Sequence, residues 1–206
     1  MYEKRPKIYS IIALGYWFLN ICGLLAMGIL HKSGAKNYYV ISWLLLVVAI
    51  LIVIIKDKSI AGLGFTKENV KTNFIISALI IIISFAISVI IGKYPILKLL
   101  EYSSYYLFYV AFREEIVYRG IIQNYLFGLD CNKYIIFLIG AVLFSLGHIP
   151  FQMYVHNDVS FSYIINVLPQ LALLCVIHLI LSFITYKRKD ITIPIALHFA
   201  LNYLQL

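Results

Sequence analysis

Apolar residues in this chain do not alternate with polar ones. They run on for 15 to 26 residues at a stretch and break at short charged or turn-forming segments. A bilayer core of about 30 Å needs about 20 helical residues to cross it, because backbone N–H and C=O groups find no water there. Seven runs meet or approach that length: Ile8–Leu30, Tyr39–Ile55, Asn73–Gly92, Tyr102–Phe127, Tyr134–His148, Phe161–Tyr186 and Ile191–Leu206. The pattern predicts an all-α, polytopic membrane bundle of about seven transmembrane helices, folded as one integral membrane domain over residues 1–206. The fifth and seventh runs are short, so their helices are expected to end inside the protein or on a cavity. The first follows a basic Lys4-Arg5-Pro6-Lys7 start. It is too long for a signal-peptide core and no convincing cleavage site follows, so it reads as a mature helix.

Composition agrees: 63% of residues are hydrophobic and 13% charged, with a mean hydropathy of +0.93, against about 45–50% apolar and about 25% charged in a soluble domain. The net charge of +8 does not point to nucleic acid, because the cations sit in short loops and form no stripe. They read as topology signals instead. Inner segments would hold eleven: Lys4, Arg5, Lys7, Lys56, Lys58, Lys67, Lys71, Lys133, Lys187, Arg188 and Lys189; outer segments would hold four: Lys32, Lys36, Lys93 and Lys98. That bias predicts a cytoplasmic N-terminus and an outer C-terminus. Cys22, Cys131 and Cys175 contain no C-x-x-C and support neither a disulfide framework nor a zinc knuckle.

Two cations remain, and both fall inside the fourth run: Arg113-Glu114-Glu115-Ile116-Val117-Tyr118-Arg119. An ionisable residue at membrane depth costs about 2.5–3.5 kcal/mol on insertion scales, so such a cluster is a functional-site hypothesis by default. Glu115 and Arg119 are four apart and share a helix face, while Glu114 points about 100° away from Glu115. One carboxylate can then be neutralised while the other stays available; a purely structural ion-pair knot is the competing reading. Phe144 and His148 share a face at the end of the fifth run, with Gly147 allowing close approach. His198 and Asn202 share a face of the seventh, either as a site or as interhelical hydrogen-bonding groups. His178 stands alone in the sixth run, and His31 and His156 fall in loops, where structural or surface roles are expected. No Gly-rich nucleophile turn surrounds Ser145. Asp57, Asp130, Asp158 and Asp190 lie in predicted loops, which leaves an aspartyl intramembrane protease without its pair.

Taken in order, Glu114-Glu115-x-x-x-Arg119 followed by Gly120, Phe144-x-x-x-His148 and His198-x-x-x-Asn202 resemble the three motifs of the CPBP family. That family contains type II CAAX prenyl endopeptidases and bacterial proteins associated with bacteriocin processing or self-immunity. The motif-bearing core is 102–206. The resemblance implies a glutamate-dependent intramembrane endopeptidase: Glu114 and His148 would hold and activate the hydrolytic water, His198 and Asn202 would form the oxyanion site, and Glu115 and Arg119 would support them. Attack by water would need no cofactor. Zinc is the mechanistic rival, since a glutamate and two histidines can ligate it, although H-E-x-x-H is absent. The expected partners are a peptide or lipidated-protein substrate and membrane lipids, in a prokaryotic plasma membrane. A non-catalytic immunity or scaffold protein is the alternative. A proton relay or small transporter is a third reading, weakened by the absence of an internal repeat.

Overall fold

The computed structural model describes residues Met1–Leu206 and is all-helical, with no strand. The helices used below are α1 (Lys7–Lys32), α2 (Val40–Asp57), α3 (Val70–Ile91), a long helix α4 (Ile96–Leu126), α5 (Lys133–Gly147), α6 (Ile149–Val155), α7 (Phe161–Asn166), α8 (Leu168–Arg188) and α9 (Thr192–Tyr203). Along α4, α-helical Ile96–Ser104, Arg113–Glu115 and Asn124–Leu126 alternate with π-helical Tyr105–Phe112 and Ile116–Gln123.

About seven transmembrane helices are expected, two of them short. Five helical segments are long and apolar enough to cross a membrane: α1, α2, α3, the α5–α6 pair and α8. The long helix has length to spare but carries Arg113, Glu114, Glu115 and Arg119 at mid-course. Helix α9 has 12 residues, well short of the roughly 20 that a full crossing takes. The sixth apolar run is also two helices, because Val167 caps α7 and α8 begins afresh with Pro169 in its first turn.

The bundle is apolar outside and mixed within. Helix α3 shows this most plainly: its buried residues are Asn73, Ser77, Ser84 and Ser88, while Phe74, Ile82, Ile83, Ile90 and Ile91 are exposed. Small residues on the inner stripe let α3 lie close to α9, as expected where lipid tails supply no hydrophobic drive between helices. The core centres on α4, where every residue from Glu115 to Leu126 is buried. Gly120 is required there: a Cβ on it would sit 2.6 Å from the Leu63 carbonyl oxygen, in the 3₁₀ turn Ile60–Leu63.

Candidate active site

Three helix interruptions bring the polar residues together. Helix α5 stops at Gly147 because Pro150, in the first turn of α6, removes a backbone donor, and His148 stands at the break. A Cβ on Gly147 would meet the Tyr118 hydroxyl at 2.1 Å, so glycine lets α5 press against α4. The glutamates occupy the single α-helical turn between the two π stretches of α4; π turns inside α-helices are frequent at functional sites. Helix α9 starts from a buried stretch, Asp190 and Ile191, tied to the end of the 3₁₀ turn Ile60–Leu63 by Ile191 N–H donating to the Gly64 carbonyl at 3.0 Å. Its start is therefore recessed.

Glu114 and Glu115 do face different ways. Glu114 turns to a cavity of about 510 Å³ lined also by Arg113, Tyr118, Gly147, His148 and Asn20. Its Oε1 accepts from Arg113 Nη2 at 3.0 Å, and its Oε2 lies 4.0 Å from His148 Nε2 and 3.8 Å from His198 Nε2. Glu115, fully buried, accepts from Arg119 and, at 2.7 Å, from His198 Nδ1. His148 Nδ1 faces the Phe144 carbonyl at 3.0 Å. A carbonyl can only accept, so Nδ1 carries the proton; the Glu115 carboxylate fixes His198 in the same way. Both imidazoles thus present Nε2 to Glu114 Oε2.

Behind this group runs a buried chain of hydrogen bonds. Gln123 Nε2 donates to the Ile136 carbonyl at 3.1 Å, which leaves its Oε1 to accept from His178 Nε2 at 3.2 Å. His178 Nδ1 then accepts from Arg119 Nη2 at 3.3 Å. Phe144 packs in the middle of the site, its ring 4.8 Å from that of His148, 4.9 Å from His178 and 6.4 Å from His198. His178 is therefore an inner support of the ion pair. Asn20, Tyr118 and Gln123 went unread in the sequence, although Asn20 is a solitary polar group in an apolar run; its Nδ2 donates to the Tyr118 hydroxyl at 3.0 Å.

Asn202 is placed differently from the others. Its Nδ2 donates to the carbonyl of His198, one turn back on its own helix, at 3.0 Å; neither Asn202 nor His198 lines the cavity, and His198 meets the site through its Nε2, 3.8 Å from Glu114 Oε2. Ser145 is committed elsewhere, donating to the Leu171 carbonyl. The donor set with lone pairs on a common space is Glu114 Oε2, His148 Nε2 and His198 Nε2. The separations of 3.8 and 4.0 Å are wider than the roughly 3.4 Å between ligands on a tetrahedral zinc with bonds near 2.0–2.1 Å.

The family model for type II CAAX prenyl endopeptidase, Rce1-like, matches residues 95–204, more than half of the chain and all three motifs. The chain belongs to that family. Membership supports a CAAX-type protease embedded in a membrane. Comparison with curated proteins and with solved structures finds no match.

Proposed function

We propose that this chain is an intramembrane endopeptidase that hydrolyses a peptide bond of a lipidated or membrane-associated polypeptide with water activated by Glu114. One observation carries the reading: a cavity-facing carboxylate has two imidazole Nε2 atoms within 4.0 Å of the same oxygen, while its neighbour Glu115 is consumed by an ion pair. A water bridging Glu114 Oε2 and His148 Nε2 gives a proton to Glu114 as its oxygen bonds to the scissile carbonyl carbon. His198, as the imidazolium formed when Nε2 also takes up a proton, donates from Nε2 to the developing oxyanion. The Asn202 amide would join it by turning from the His198 carbonyl toward the cavity. Collapse breaks the C–N bond, and the proton on Glu114 passes to the leaving amine. Donors fixed in a water-poor cavity act without reorganisation, which is where such stabilisation is largest. No metal or cofactor enters this scheme. A binding-only immunity or scaffold protein has no need of ionised groups held inside lipid.

The test is cleavage by purified protein in detergent, against a panel of quenched fluorescent peptides with and without a prenyl group. Glu114→Gln keeps shape and loses the base; it should remain folded by size exclusion and lose about 10²–10⁴-fold in rate. Turnover by wild type should survive exhaustive chelation. Normal turnover by Glu114→Gln, or one bound zinc per chain with chelator-sensitive, zinc-restored activity, would overturn the assignment.

A further inference from the structure

Contacts between chain ends sort the loops into two faces. On one, Lys4 pairs with Asp130 at 3.0 Å, Arg5 with Asp57 at 2.9 Å, and Lys189 Nζ donates to the Met1 carbonyl at 3.1 Å. This face gathers the start of α1, the α2–α3 and α4–α5 loops and the α8–α9 turn, and it holds eleven of the seventeen Lys and Arg residues. On the other, the Tyr38 and His31 rings lie 6.0 and 5.9 Å from Phe151, and Lys93 donates to the Leu206 carbonyl. That face holds four. Cationic loops stay in the cytoplasm, so the first face is the inner one.

The cavity belongs to the second face. Its wall includes Tyr38 and Tyr39 from the α1–α2 connection, Ser42 from the first turn of α2, and Phe151 and Gln152 from α6; no residue of the inner loops lines it. Asn20, on its floor, lies 12 residues before Lys32 at the outer end of α1, about 18 Å along the helix axis. We propose that the catalytic cavity opens on the non-cytoplasmic face, and that its substrate is an extended, uncharged stretch of an exported or membrane-anchored polypeptide presented there.

This rests on the peptidase reading for the word substrate, and on loop charge and cavity walls for the side. The chemistry of the wall selects within that class. Tyr38, Tyr39, Tyr105, Tyr109 and Phe151 offer large amphipathic faces for apolar or aromatic side chains. Ser42, Gln152 and Asn20 can bond an extended backbone. The one cation, Arg113, is already held by Glu114 at 3.0 Å and by the Tyr109 carbonyl at 3.0 Å, so the wall carries no free charge to match an ionised side chain. A prenylated chain end in the cytoplasm would meet the closed, cationic face instead.

Cysteine labelling decides the side without reference to activity. Cys131 is exposed in the α4–α5 loop of the inner face and serves as the inner reporter when Cys22 and Cys175 are replaced by alanine. Replacing Cys131 too gives the background for Ser33→Cys, on the outer loop, and Gln152→Cys, in the cavity wall. In intact cells a small, charged, impermeant thiol reagent should modify Ser33→Cys and Gln152→Cys, and reach Cys131 only after permeabilisation. Labelling of Cys131 from outside with Ser33→Cys protected overturns the proposal, as does an outer Ser33→Cys with a Gln152→Cys that reacts only from inside. Either result leaves the Glu114 assay in detergent untouched. Conversely, full turnover by Glu114→Gln with the expected labelling sinks the peptidase and keeps the opening. A peptide cleaved in detergent should also be cleaved by sealed right-side-out vesicles and spared by inverted ones.

Discussion

Two adjacent glutamates with different partners are the central fact at the scale of single residues. Glu115 and Arg119 are both fully buried, and Glu115 Oε2 and Arg119 Nε find no partner. A pair of this kind is costly to bury and more costly to break, since removing one member strands the other, at about 3–5 kcal/mol. Glu115→Gln and Arg119→Ala should therefore lower folded yield and melting temperature in detergent, whereas Glu114→Gln should affect turnover alone. Unfolding curves read beside specific activity of the folded fraction separate the two; an Arg119→Ala protein as stable as wild type would remove the structural role given to the pair. Much of this division is legible in the sequence, because i,i+4 spacing joins Glu115 to Arg119 and turns Glu114 aside. The inner partners are not. His178 lies 59 residues from Arg119, and nothing local to Leu174-Cys175-Val176-Ile177 signals that α8 meets α4 there.

Among elements, contact distances are set by glycines where helices touch. Gly120 faces the backbone of Leu63, and a Cβ would come 2.6 Å from its carbonyl oxygen and 3.2 Å from its carbonyl carbon. Backbone cannot swing aside as a side-chain tip can, so Gly120→Ala must displace the 3₁₀ turn or α4 itself. Overpacking of this kind costs about 1–3 kcal/mol. Gly15 in α1 is the control, exposed and with nothing within 4 Å of its Cβ; there alanine should stabilise by roughly 0.5–1 kcal/mol through backbone entropy. Opposite shifts in melting temperature are expected, and a Gly120→Ala protein that melts at or above wild type would refute the close approach. Apolar run length located the helices but not their character. The break at Val167 falls within hydrophobic sequence, where hydropathy is blind to the change of direction, and the early start of α4 at Ile96 lies outside the fourth apolar run because Lys98 and Glu101 interrupt the hydrophobic pattern there. The π turns flanking Arg113–Glu115 leave no trace in composition, since they depend on how α4 fits its neighbours.

For the whole molecule, the distribution of charge reads directly from the sequence, whereas the pairings that close the cationic face do not. The N-terminal segment folds under the bundle: Tyr2 stacks on Phe127 at 5.2 Å, its N–H donates to Asn124 Oδ1 at 3.0 Å, and Arg5 forks onto Asp57 through two hydrogen bonds of 2.9 and 3.2 Å. Arg5 also stands over the rings of Tyr9 and Tyr125 at 4.8 and 4.9 Å. One guanidinium thus joins the start of the chain to α1, the end of α2 and the end of α4. Its side chain is 19% exposed and that of Asp57 10%, so water still screens part of the pair. Arg5→Met and Asp57→Leu should each destabilise, by no more than about 3 kcal/mol, the low edge for a fully buried pair. The double variant should cost less than the two losses added together, because neither charge is then left unpaired. Specific activity should hardly change in the folded fraction, since Glu114 lies 12 residues, about 18 Å of helix, from the C-terminal end of α4 at Leu126. Strict additivity of the two unfolding losses would show that the fork is not what ties the chain's beginning to α2, and the seam would then rest on Tyr2 and its aromatic neighbours alone.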